Sequence, residues 1–219
     1  MAGHNKSLME ARILSEEIAS SLPNKIQIAS LTLKSKIPFK ALSIRELLIH
    51  RLSALAINAV ELLEKGHVVS GVVLTRSVVE TVAVLYVLHE RIFRYLENNN
   101  LKDFDDFLMR CLLGSRNKTG KREAINILNA IDRVDKKHSG FRIAYDGLCE
   151  YTHPNWAGTM GAYGKIDKMK FELKLGGRDR TKAKMKGSLA LVVSLLMFKE
   201  YYNSMTDLMF QLNNHFENK

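Results

Sequence analysis

The sequence predicts a mainly α fold: a multi-helix bundle around a central apolar helix, with one β-hairpin inserted before a long C-terminal helix. Three observations carry that expectation. Apolar residues recur at three- and four-residue spacing along most of the chain. Residues 67–89 hold only two charges, Arg76 and Glu80. Between 162 and 175 the period drops to two, and a helical period then resumes. With 219 residues, 46% apolar and 26% charged, there is material for one core. The chain is therefore read as a single helical-bundle domain over 1–219, with the hairpin, about 159–176, as an insertion.

Taken in order, Ser7 and Glu10 have capping-box spacing and Leu14, Ile18 and Leu22 extend a stripe. A first helix is expected over 7–22, stopped by Pro23. Residues 25–40, KIQIASLTLKSKIPFK, read equally as a strand or a short helix, broken at Lys36-Ile37-Pro38. Ser43 and Glu46 make a second capping box, opening a helix whose inner face is Ile44, Leu48, Leu52, Leu55, Ala59 and Leu62. Gly66 is its C-cap, and His50 and Arg51 are ordinary flank positions.

Residues 67–89 are apolar all round, as suits the central helix of a bundle. Their length also suits a membrane span, but two central charges would each cost roughly 2.5–3.5 kcal/mol on insertion scales. A buried helix and no membrane are expected.

A helix over 101–113 follows, with Phe104, Phe107, Leu108, Cys111 and Leu112 inward. The basic loop 114–120, GSRNKTG, offers backbone and charge to a phosphate but lacks the P-loop arrangement. Residues 121–137 form the next helix, with Ala124, Ile127, Leu128, Ile131 and Val134 inward. Ser139 caps another, whose inner stripe is Phe141, Tyr145, Leu148 and Thr152 and which Pro154 ends. Met169, Phe171, Leu173 and Leu175 then alternate with Lys168, Lys170, Glu172 and Lys174. Paired with a strand over 162–166, they predict a hairpin with its apolar face on the bundle and its lysine face outward. A last helix covers 181–216 on Met185, Leu189, Val192, Leu196, Met205, Leu208, Leu212 and Phe216.

The net charge is +10, and +6 of it falls between 165 and 186, where nine basic residues face three acids. Such a patch favours RNA or another polyanion, with Lys165, Lys168, Lys170, Lys174, Arg178 and Arg180 as the contacts. Its alternative is a solvated surface. Cys111 and Cys149 stand on separate helices and are read as reduced thiols of a cytoplasmic protein. The first twenty residues lack an apolar h-region, so no signal peptide is expected.

Arg76 and Glu80 lie one turn apart on the helix where charge is most expensive. They either pair structurally or present a guanidinium, aimed by its carboxylate, to a cleft. Asp146, Glu150 and His153 share a second face at i, i+4, i+7. Pro154 puts His153 at a helix C-terminus, where the dipole and Glu150 both favour an imidazolium able to act as general acid or anion contact. Capping of the helix carbonyls is its structural alternative. Glu150-x-x-His153 also has the form of a dimetal motif, but its one counterpart is Asp135-x-x-His138 and carboxylates are too few, so no metal is expected. Nucleophile-elbow, dinucleotide and zinc signatures are absent, and no cofactor is expected.

The segments KIPFKALSIRELLIHR, VVLTRSVVET and YDGLCEYTHPNWAG resemble those of a group of uncharacterised bacterial all-helical proteins. These pair R-S-x-x-E on a central helix with a later Y-x-x-L-x-x-x-x-H-P. A weaker likeness is to HEPN-type bundles, many of them RNA-cleaving toxins or defence proteins. The resemblance implies a homodimer that cuts RNA without metal, using an Arg and a His. Those proteins carry the two on one helix; here Gly147 stands six residues before His153, so the arginine would be Arg76. Two readings result. One is an HEPN-like ribonuclease with Arg76, Glu80, Glu150 and His153 as catalytic residues; the other is a non-catalytic binding or assembly module whose polar cluster is structural.

Overall fold

A computed structural model describes residues 2–117, 122–176 and 180–219. Its elements are α1 (Ala2–Ser20), α2 (Ile37–Glu64), α3 (Val68–Asn98), α4 (Leu101–Leu113), α5 (Ile127–Lys137), α6 (Phe141–Thr152), α7 (Met160–Tyr163), β1 (Gly164–Asp167), β2 (Glu172–Leu175) and α8 (Thr181–Glu217). The expected mainly α bundle, with one hairpin ahead of a long last helix, is what the chain forms.

α3 is the axis. Val72, Val78, Val79, Val82, Leu85, Leu88 and Ile92 are buried around its circumference, because α2 and α8 flank it, α5 and α6 cover another side and α4 closes one end. Among the described residues it is the one helix long and apolar enough to cross a membrane, with mean hydropathy 1.8 over its best window, and 56% of that window is buried within the bundle. Each Val or Leu enclosed there contributes about 1.5–3 kcal/mol.

Several boundaries differ from the sequence expectation for local reasons. α2 starts six residues before Ser43: Pro38 sits in its first turn, where a missing N–H costs nothing and a fixed φ favours the helix. Ser43 and Glu46 are thus interior residues and not a capping box. Between α1 and α2 there is neither a strand nor an α-helix but one 3-10 turn, Ile28–Ser30, and Leu33 is exposed. α5 begins at Ile127 because the Asn126 side chain accepts the N–H groups of Leu128 (2.9 Å) and Asn129 (3.4 Å). Ala124 is consequently loop, and Leu128 faces solvent.

Ser139 does not cap α6. Asp135, on the preceding helix, accepts from Gly140 N–H (3.0 Å) and Arg142 N–H (2.9 Å), so one carboxylate ends α5 and starts α6. The hairpin pairs Gly164 with Leu175 and Ile166 with Leu173 on one face, and Lys165 with Lys174 and Asp167 with Glu172 on the other. Its apolar face was expected on the bundle. Instead Ile166, Leu173 and Leu175 are exposed, and α7 is the element that β1 packs against.

Candidate functional site

Helical spacing puts Arg76 and Glu80 one above the other on α3, and α6 lays Tyr145 across both. The Tyr145 hydroxyl accepts from Arg76 Nη2 (2.9 Å) and Nε (3.2 Å) and donates to Glu80 Oε1 (2.9 Å). Arg76 Nη2 also reaches Glu80 Oε1 directly, at 2.9 Å. Tyr145 is only 1% exposed, and burial pushes its phenol up to about 12; the Arg76 bond opposes that shift and Glu80 adds to it. The phenol therefore keeps its proton at neutral pH and acts as a relay between cation and anion. Burial pulls the Arg76 pKa down, but Tyr145 and Glu80 outweigh it and the net shift is upward. Nη1 of Arg76 has no protein partner among the described residues.

Beside this network lies a cleft of about 320 Å3. Arg51 of α2 and Arg116 of the loop after α4 line it together with Arg76 and Glu80, and Ile125 and Ile127 form part of its apolar wall. Arg51 and Arg116 are exposed and make no ion pair among the described residues. Three arginines thus line one cleft with one glutamate.

Glu150 and His153 do not join them. Both are exposed on α6, and Glu150 accepts a hydrogen bond from Asn155 Nδ2 (3.0 Å). Glu150 is five residues beyond Tyr145, about 140° round the helix, and His153 is about 12 Å from Tyr145 along the axis. His153 is the C-cap in extended geometry, as Pro154 requires. Asp146, the third member of that face, is held by Arg142 at 2.9 Å. Of the four residues singled out for catalysis, one pair meets at the α3–α6 contact and the other faces solvent beyond it.

The basic residues also divide. Lys165, Lys168 and Lys170 are exposed on the hairpin, while Lys174 is paired with Asp167 at 3.0 Å. Arg180 turns inward, donating to Gly176 O (3.3 Å) with its guanidinium 4.9 Å from the Tyr163 ring centroid; it ties the hairpin down. Arg178 lies outside the described residues. At the hairpin tip Phe171 is 95% exposed and Met169 90%. Phe171 also has φ +53°, a left-handed conformation that costs a non-glycine residue about 1–2 kcal/mol.

Two further polar groups escaped the sequence reading. Glu46, nearly buried, accepts from its neighbour Arg45 and from the Tyr202 hydroxyl of α8, and Arg45 stacks 3.6 Å from the Tyr202 ring centroid. Arg45 Nη2 also donates to Tyr202 O (2.9 Å). On the other side of α8, His138 Nε2 lies 2.6 Å from the Tyr201 hydroxyl, and Tyr86 and His89 stand edge-on to that ring. The tandem Tyr201-Tyr202 was the available signal. Asp135 and His138 are thus engaged in capping and ring contacts. Among the described residues no three His, Cys, Asp or Glu side chains gather as a metal-binding group.

Comparison with family models, with curated proteins and with solved structures finds no match to this chain.

Proposed function

We propose that the chain is a non-catalytic helical binding module for RNA, in which Arg76, Glu80 and Tyr145 clamp α3 to α6. The observation that carries this reading is the uncovered hairpin. It offers Lys165, Lys168 and Lys170 to solvent beside a fully presented, backbone-strained Phe171. Lysines track a phosphate backbone, and an exposed ring is a platform for a base. Strain held at an exposed aromatic is a cost that a contact can repay. The Arg76–Glu80–Tyr145 network supports the non-catalytic half: the three side chains are engaged with one another, and His153 stands too far along α6 to take or give a proton there.

Self-association belongs to the same reading. An apolar groove of about 560 Å3 runs between α6 and α8, lined in part by Ile143, Leu189 and Val193, and the hairpin's apolar face is also uncovered. Two such surfaces on one chain suit a symmetric pair of copies.

RNA binding measured against salt tests the proposal. With three free hairpin lysines engaged, the affinity for a single-stranded RNA should fall with a log–log slope of about −2. Lys165→Gln, Lys168→Gln and Lys170→Gln together should abolish most of that slope. Salt-independent binding, or none, would refute it.

A further inference from the structure

The cleft beside the clamp has a composition that the clamp does not need. Arg51, Arg76 and Arg116 come from three separate elements, α2, α3 and the loop after α4. Glu80 balances one of them. The other two have no anionic partner among the described residues, although all three line the same small cleft. Both are exposed, so fold stability gives no reason for them to line the same cleft.

Arg116 is held at the cleft by a pinned loop. Ser115 N–H donates to Arg122 O (3.0 Å), and Ala124 N–H donates to Ser115 O (3.3 Å). Arg110 reaches across from α4 to Glu123 O (3.1 Å) and Ala124 O (3.0 Å). The loop closes so tightly that a Cβ on Gly114 would lie 2.3 Å from Arg110 O and 2.7 Å from Ala124 Cα. Glycine is required at that crossing, two residues before Arg116. Arg76 is oriented as firmly, because Nε and Nη2 are bound to Tyr145 and Glu80 while Nη1 is left over.

We infer that this cleft is a binding site for a phosphoryl group, gripped by Arg51, Arg116 and the remaining edge of Arg76. The three arginines and Glu80 sum to a formal +2, which complements a phosphomonoester dianion or adjacent phosphodiesters. Planar guanidinium forks match phosphate oxygens two at a time. The volume, about 320 Å3, lies at the small end of ligand sites. Ile125 and Ile127 provide an apolar wall for whatever carries the phosphate. The phosphate can come from a free phosphomonoester or from an RNA chain; the inference rests on the RNA-binding reading only for the second source.

The test titrates the full chain with adenosine monophosphate and, separately, with a short single-stranded RNA at fixed ionic strength. Arg51→Gln/Arg116→Gln and the triple hairpin lysine variant are titrated beside the wild type. Both arginines are exposed and make no ion pair among the described residues, so the double variant should melt as wild type does. Loss of each arginine should weaken the bound phosphate about tenfold. Weaker adenosine monophosphate binding in the arginine variant, unchanged in the hairpin variant, establishes the site with a free phosphomonoester. If the wild type ignores the mononucleotide but the arginine variant loses RNA affinity, the site takes backbone phosphate. Should the arginine variant bind both ligands like wild type, the site is refuted, and RNA binding lost only in the hairpin variant would leave the module reading intact. If the wild type binds neither ligand, both proposals fall.

Discussion

Tyr145 shows what a single hydroxyl does in this chain. It accepts from Arg76 and donates to Glu80, so removing it leaves the α3 ion pair formed but unhitched from α6. Tyr145→Phe keeps the ring and its packing. Its expected cost is about 1–2 kcal/mol in urea unfolding, the worth of hydrogen bonds to charged groups that keep each other as partners. An unchanged midpoint would contradict the clamp. Phe171 makes the opposite case. Phe171→Gly should relieve its left-handed backbone and stabilise the hairpin slightly, yet weaken RNA binding about 5- to 100-fold through the lost stacking surface. Tighter binding after that change would refute the platform. His89 reports on pH. Burial, then the charge of Lys137, lowers its pKa below the ordinary 6.5. The unfolded chain therefore takes up this proton first, so the contribution of His89 is complete above about pH 6.5 and is lost as the pH falls below it. His89→Phe should flatten that acid limb, seen as thermal midpoints recorded from pH 7.5 to 5.

At the scale of elements, Asp135 joins α5 to α6 by accepting two N–H groups at the start of the second helix. Asp135→Ala should cost about 1–2 kcal/mol, and Asp135→Asn should restore part of it; equal losses from both would show that the cap geometry is not the cause. This cap also shows why some boundaries were not legible. Ser139 has the right chemistry and the right sequence position, but the carboxylate that reaches the N–H groups comes from the previous helix, a tertiary fact. Ser43 and Glu46 misled in the same way. Their spacing is that of a capping box, and only the packing of α2 on α8 shows Glu46 to be half of a nearly buried ion pair under Tyr202. By contrast, α3, α4 and α8 were legible because long stripes with three- and four-residue spacing leave little freedom of interpretation. The hairpin was legible as strands but not in its placement: alternation says that one face is apolar and does not say that anything covers it.

For the whole molecule, the question is which charged groups meet. The spacing of Arg76 and Glu80 made their pairing readable. That Tyr145 would be the third member was not, because it lay in a stripe assigned to core packing. Spacing put Glu150 and His153 on one face of α6 but could not tell that both would be exposed, away from the clamp. The gathering of Arg51, Arg76 and Arg116 crosses three elements and leaves no trace in local pattern. The binding-module proposal rests on a closed polar clamp, three exposed hairpin lysines and uncovered apolar surface. Incubation of end-labelled RNA with pure wild type and with His153→Ala, in chelator, bears on this most directly, with filter retention and fragment length read from the same samples. The expected result is that both proteins retain the RNA and both leave it full length. Cleavage by wild type that His153→Ala abolishes, with the fold preserved, would contradict the binding-module reading and restore His153 to a catalytic role.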